Sequence, residues 1–137
     1  MNAIEPLRTL IAYGATLIVL VMLDLIWLRY ASDAFFRPAV GEMLTGTPNF
    51  FAAGLFYFFF AAGLIYFAVV PAAKNSSIAA ALLNGAFLGF LGYMTFDLTN
   101  LAILRLWSVK VSAIDISWGT FASAIAAGAG FTILTKI

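Results

Sequence analysis

Apolar residues fall along this chain in four long runs, not in short alternating stretches. The first extends from about Thr9 to Leu28, the second from Phe50 to Val70, the third from about Ser77 to Leu104 and the fourth from Ile116 to Thr135. A helix rises about 1.5 Å per residue, so about 20 apolar residues cross a hydrocarbon layer roughly 30 Å thick. Each run reaches that length. The pattern predicts an all-α polytopic membrane protein, residues 1–137 forming one domain of four transmembrane helices in an up-down bundle.

Local signals set the expected ends. Pro48 precedes the second run and Pro71 closes it; Asn75, Ser76 and Ser77 offer caps for the third; Asp115 caps the fourth and Lys136 ends it. Arg8 before the first run resembles the start of a signal peptide. The run is too long for one, carries Asp24 and has no clear cleavage site after it, so a retained helix is expected. Lys74 sits in a short loop that makes the second and third helices a hairpin. Between Arg29 and Asn49, Phe36, Val40, Met43 and Leu44 recur at helical spacing among Arg29, Asp33, Arg37 and Glu42, which predicts a short interfacial helix between helices 1 and 2. The segment from Arg105 to Ile114 carries Trp107 and Lys110, both suited to the headgroup layer.

Composition narrows the chemistry. With 64% hydrophobic and 9% charged residues, the chain lies outside the range of soluble domains, and the bilayer is its expected surroundings. A net charge of +1 with no basic run argues against nucleic acid as a partner. Cysteine and histidine are absent, which removes thiolate and imidazole ligands, so neither a metal nor a cofactor is expected. Any chemistry falls to carboxylates, hydroxyls and amides.

Small residues mark faces where helices approach. Gly85, Gly89 and Gly92 lie in a narrow sector of the third helix, with Phe96 and Asn100 extending it and Tyr93 and Asp97 at its edge. Gly119, Ser123 and Ala127 form a matching stripe on the fourth, so these two helices are expected to touch. The second helix carries phenylalanine all round and is expected to face lipid.

Asp24, Asp97 and Asp115 fall near helix ends that share one membrane face in a four-pass topology. A carboxylate in hydrocarbon costs at least about 2.5 kcal/mol, so such groups turn inward and find partners. The expected polar cluster contains Asp24, Tyr93, Asp97, Thr99, Asn100, Asp115 and Trp118, with Arg29, Arg37, Arg105 and Lys110 available as charge partners. Three readings stand side by side: a satisfied ion-pair network, a binding site for an ion or small polar group, and a carboxylate acting as acid or base. The balance leans away from an enzyme.

Asp-x-x-Trp occurs twice, as Asp24 to Trp27 and Asp115 to Trp118, ending one helix and beginning another. Together with Leu23-Asp24-x-x-Trp27-Leu28, Phe36-Arg37-Pro38, Asp97-Leu98-Thr99-Asn100-Leu101-Ala102 and Asp115-x-x-Trp118-Gly119, these residues give a chain that resembles the domain of unknown function 2177 family of bacterial membrane proteins. The likeness covers nearly the whole chain. It implies a multi-pass protein of the bacterial inner membrane and assigns no activity or catalytic residue. Basic residues are nearly balanced between the two faces, and Arg8 before the first helix favours a cytoplasmic N-terminus. The expected function is binding of a small polar or amphiphilic ligand in a polar pocket near one face. The alternatives are a structural or assembly subunit that meets another membrane protein, and an enzyme or accessory acting on lipid.

Overall fold

The computed structural model describes residues 4–137, and among these every regular element is helical. Helix α1 spans Ile4–Ala31 and runs on without a break through a π-helical turn, Ser32–Phe36, into α2, Arg37–Val40, and a 3-10 turn, Gly41–Met43. The segment expected as a separate interfacial helix is therefore a continuation of the first span. Of its apolar residues, Val40 is buried and Phe36 half-buried, whereas Met43 and Leu44 are exposed.

Asn49 caps the second span by accepting the Ala52 N–H at 3.1 Å. That span comprises α3, Phe50–Leu64, a π-helical turn, Ile65–Val69, and α4, Val70–Lys74. Pro71 does not close it. The proline stands in the first turn of α4, where the preceding π turn has already shifted the hydrogen-bond ladder, so its missing N–H costs little. Ser76 turns the chain with φ of 50°, and Ser77 caps α5, Ile78–Ile103, by accepting from Ala80 N at 3.1 Å.

Helix α6 spans Val109–Lys136 and begins well before Ile116. Its cap is Ser108, which accepts the Val111 N–H at 3.0 Å, not Asp115. Asp115 consequently lies in the second turn, inside the helix. The four spans are long and apolar enough to cross a membrane.

Helices α5 and α6 form the closest pair. A Cβ on Gly85 would stand 2.6 Å from the Ala127 Cβ and 2.8 Å from the Ser123 carbonyl, and one on Gly89 would strike the Gly119 carbonyl and Ser123. Gly92 faces the other way, towards Phe60 of α3. Helix α1 packs on the opposite flank of α6, where Gly130 leaves room for Thr16. Ala12, Ala61, Ala68, Ala72, Ala81, Ala122, Ala126 and Ala127 are all fully buried, as expected where packing of small residues, not exclusion from water, brings helices together. Large side chains point outwards, Phe50, Phe51 and Phe59 among them, and suit contact with lipid tails.

The second span does not pack evenly. Its π turn Ile65–Val69 presses on α5, but α3 diverges from α5 towards Phe50. Aromatic rings bridge the widening gap, with Tyr93 of α5 set edge-on to Phe60 and Phe56 at centroid distances of 6.3 and 6.5 Å. This divergence leaves a cavity between the spans.

Candidate functional site

Asp24 lies about two turns before the end of α1 and is only 6% exposed. A buried carboxylate needs donors, and three other spans supply them. Tyr57 of α3 donates its hydroxyl at 2.7 Å and Tyr93 of α5 at 3.1 Å, both to Oδ2, while Trp118 of α6 donates its indole N–H to Oδ1 at 2.7 Å. One side chain thus ties all four spans together. Trp27, one turn beyond Asp24, stacks on Trp118 with ring planes 6° apart and centroids at 4.9 Å. Each Asp-x-x-Trp motif contributes one indole to this stack.

Asp115, also 6% exposed, stands in electrostatic reach of both Asp24 and Asp97. Its polar neighbours are the Asp97 carboxyl and the Trp27 indole, which leans towards it without a proper hydrogen bond. Asp97 is fully buried, and neither of its oxygens has a hydrogen-bond donor; the Trp107 indole leans towards it in the same incomplete way. Two facing carboxyls repel when both are ionised and hold each other only through a shared proton. The cluster therefore has a saturated member, Asp24, and an undersupplied pair, Asp97 and Asp115.

Other expected members are placed differently. Asn100 is half-buried, one turn beyond Asp97. Thr99 is exposed, and its hydroxyl donates to the Thr95 and Phe96 carbonyls of its own helix. Arg29, Arg37, Arg105 and Lys110 are all exposed. Among the described residues no ion pair reaches Asp24, Asp97 or Asp115; Arg37 pairs with Asp33 at 3.0 Å and Arg8 with Glu5 at 3.3 Å. Phenol and indole donors serve Asp24 where an ion-pair network, one of the three readings of the sequence, would have placed basic side chains.

A cavity of about 520 Å³ opens beside this cluster. Its polar end is formed by Asp24, Asp115, Tyr57 and Tyr93, and its walls by Trp27, Leu28, Phe36, Phe56, Phe96 and Trp107, with Leu44 of the long loop, Ser32 and Gly92 completing it. No lysine or arginine lines it. Phe56 and Phe96, 44% and 49% exposed, flank the gap where α3 diverges from α5. Gly92 lets the Phe60 ring pack closely on α5 at the edge of this gap, since even a Cβ there would stand 3.0 Å from the ring.

Tyr57, Trp27, Phe56, Phe96 and Trp107 are absent from the residues expected at the site. A signal for Tyr57 exists: a phenol within a phenylalanine-rich span needs a hydrogen-bond partner, and a carboxylate is a strong one. The described residues contain no group of three or more acidic, histidine or cysteine side chains arranged to hold a metal ion.

Residues 9–132 match the model of a family described as Predicted membrane protein (DUF2177). No curated protein and no solved structure matches the chain.

Proposed function

We propose, from the premise that this chain belongs to the DUF2177 family of predicted membrane proteins, that it binds an amphiphilic molecule in the cavity between α1, α3, α5 and α6. One observation carries the reading. An apolar aromatic space of about 520 Å³ ends on Asp24 and Asp115, so a ligand with an apolar body and a polar head finds both environments in the order it needs them. The gap flanked by Phe56 and Phe96 faces outwards between two spans, which supports entry sideways from the bilayer. The scaffold favours a fixed site, because Asp24 is held by donors on three helices.

The resemblance to bacterial membrane proteins supports a place in the bacterial inner membrane. Arg8 supports a cytoplasmic N-terminus, which would put the cavity towards the outer face, with the long loop and Trp107. Reporter fusions in the Lys74 loop and after Lys136 would both report cytoplasm under this reading; an outward signal from either would reverse it.

The cavity itself is tested by filling it. The protein would be extracted into lipid nanodiscs and its retained small molecules measured by mass spectrometry, beside Ser32→Phe, which places a ring in the cavity. The expected result is an amphiphile enriched over bulk lipid in the wild type and lost in Ser32→Phe, with thermal unfolding of the empty protein little changed. Equal retention by both proteins would refute the reading.

A further inference from the structure

We infer that the ligand of this cavity carries a single positive charge, as an alkylammonium head held at Asp115 beneath the aromatic walls. The inference rests on the cavity being a binding site and goes further by naming the charge of its occupant.

Its first support is the uneven supply of donors. Asp24 is saturated by Tyr57, Tyr93 and Trp118, whereas Asp115, just as deeply buried, lines the cavity with only the Asp97 carboxyl and the Trp27 indole as polar partners. A buried acid in that state lacks what a cation or strong donor provides. No basic side chain lines the cavity, and Arg29, Arg37, Arg105 and Lys110 all point away into exposed positions. Within the chain only a proton shared with Asp97 relieves this acid, so a positive charge at the cavity has to come from outside it.

A second support is independent of the carboxyls. Trp107, Phe56 and Phe96 stand in the walls, beside a Trp27 ring that stacks on Trp118 and Phe35, and the face of an aromatic ring attracts cations, most strongly in a desolvated site. An anionic head would meet Asp24 and Asp115 with nothing to offset the repulsion. A neutral head would gain hydrogen bonds at Asp115 but neither the charge compensation nor the attraction of the rings. The apolar walls suit an alkyl tail.

The test uses the full chain in a neutral maltoside detergent, titrated with three twelve-carbon probes: dodecyltrimethylammonium, dodecylphosphocholine and dodecyl sulfate. Binding is followed by tryptophan fluorescence, because Trp27 and Trp107 line the cavity, and by the shift in unfolding temperature. The cationic probe is expected to bind saturably and about tenfold or more tightly than the zwitterionic one, with no saturable binding of the anionic one. Asp115→Asn should abolish that preference while leaving zwitterionic binding in place. The wild-type comparison decides the matter even where a variant folds poorly. Equal affinity for the cationic and zwitterionic probes, both lost in Ser32→Phe, would overturn the charge assignment and leave the cavity standing as a site. Saturation with none of the probes, or binding that Ser32→Phe does not weaken, would overturn both.

Discussion

Trp118 donates its indole N–H to the Asp24 carboxylate at 2.7 Å, joining the first and last spans across 94 residues of sequence. The same ring stacks on Trp27, so Trp118 serves α1 twice, through a hydrogen bond and through a parallel aromatic face. Tyr57 and Tyr93 complete the coordination of Asp24 from the two remaining spans. This arrangement makes Asp24 the register mark of the bundle, since sliding any helix by one turn would remove its donor.

Trp118→Phe should separate the two roles. The substitution keeps an aromatic face for Trp27 and removes the donor to Asp24. A hydrogen bond to a charged group contributes about 1.5–3 kcal/mol in water-soluble proteins, and interhelical bonds in membranes average nearer 0.6, so a loss of about 1 kcal/mol is expected. Chemical unfolding in mixed micelles would measure it. Tyr57→Phe should cost a similar amount, and Trp118→Leu, which also loses the stack, should cost more than Trp118→Phe. Equal stability of Trp118→Phe and wild type would show that the other donors suffice.

Asp24→Leu is expected to be worse than any donor variant. It strands two phenols and an indole N–H in a buried space with no acceptor, and each stranded group costs about 1–3 kcal/mol. Asp24→Asn retains one acceptor oxygen but turns an amide N–H₂ towards donors, and so should fall between the two. Comparing unfolding temperatures of the purified variants checks the order.

Glycine positions give a contrast that depends only on space. A Cβ at Gly119 would collide with the Tyr93 ring, and one at Gly89 with the backbone of Gly119 and with Ser123. Gly119→Ala and Gly89→Ala should therefore push α5 from α6 at a cost of about 1–3 kcal/mol, and Gly119→Ala should also shift the Tyr93 hydroxyl from Asp24. Gly54, on the exposed side of α3, has nothing within 4 Å, so Gly54→Ala should be neutral or more stable by up to about 1 kcal/mol. Unfolding curves for the set would settle the ranking.

The four spans are legible in the sequence because a bilayer imposes a length and an apolar content that few other segments meet. Ends were harder to read. Ser108 and Asp115 are both good cap residues, and Lys110 and Asp115 lower the hydropathy of a stretch that nonetheless forms the first two turns of α6, with Val111 and Ser112 buried. The three aspartates were found from cost alone, since buried charge in hydrocarbon must gather. Their partners were not, because chemical type does not state direction. Thr99 follows Asp97 by two positions, about 200° round the helix, and so faces away; Arg29 follows Asp24 by five, about 140° away. Asn100, three positions on, stays within about 60° and is half-buried. Tyr57 was hidden among rings that mostly face lipid, and the cavity depends on the divergence of α3 from α5, which no residue pattern specifies.

Asp97→Asn isolates the facing carboxyl pair. Asp97 has no donor to either oxygen and looks onto Asp115, so its carboxyl is held poorly unless a proton lies between the two. Asparagine has the same shape and supplies an N–H to Asp115 without needing that proton. The variant is therefore expected to be as stable as wild type or more so, with the largest advantage at alkaline pH, where the wild-type pair is least able to keep a proton. As the pH falls, a protonated Asp97 provides the same donor and the two proteins should converge. Thermal unfolding in mild detergent across a pH series measures this directly. A variant clearly less stable than wild type at neutral pH would instead mean that the Asp97 carboxylate is ionised and held by a cation, and the assignment of Asp115 as the acid left open to a ligand would then have to be abandoned.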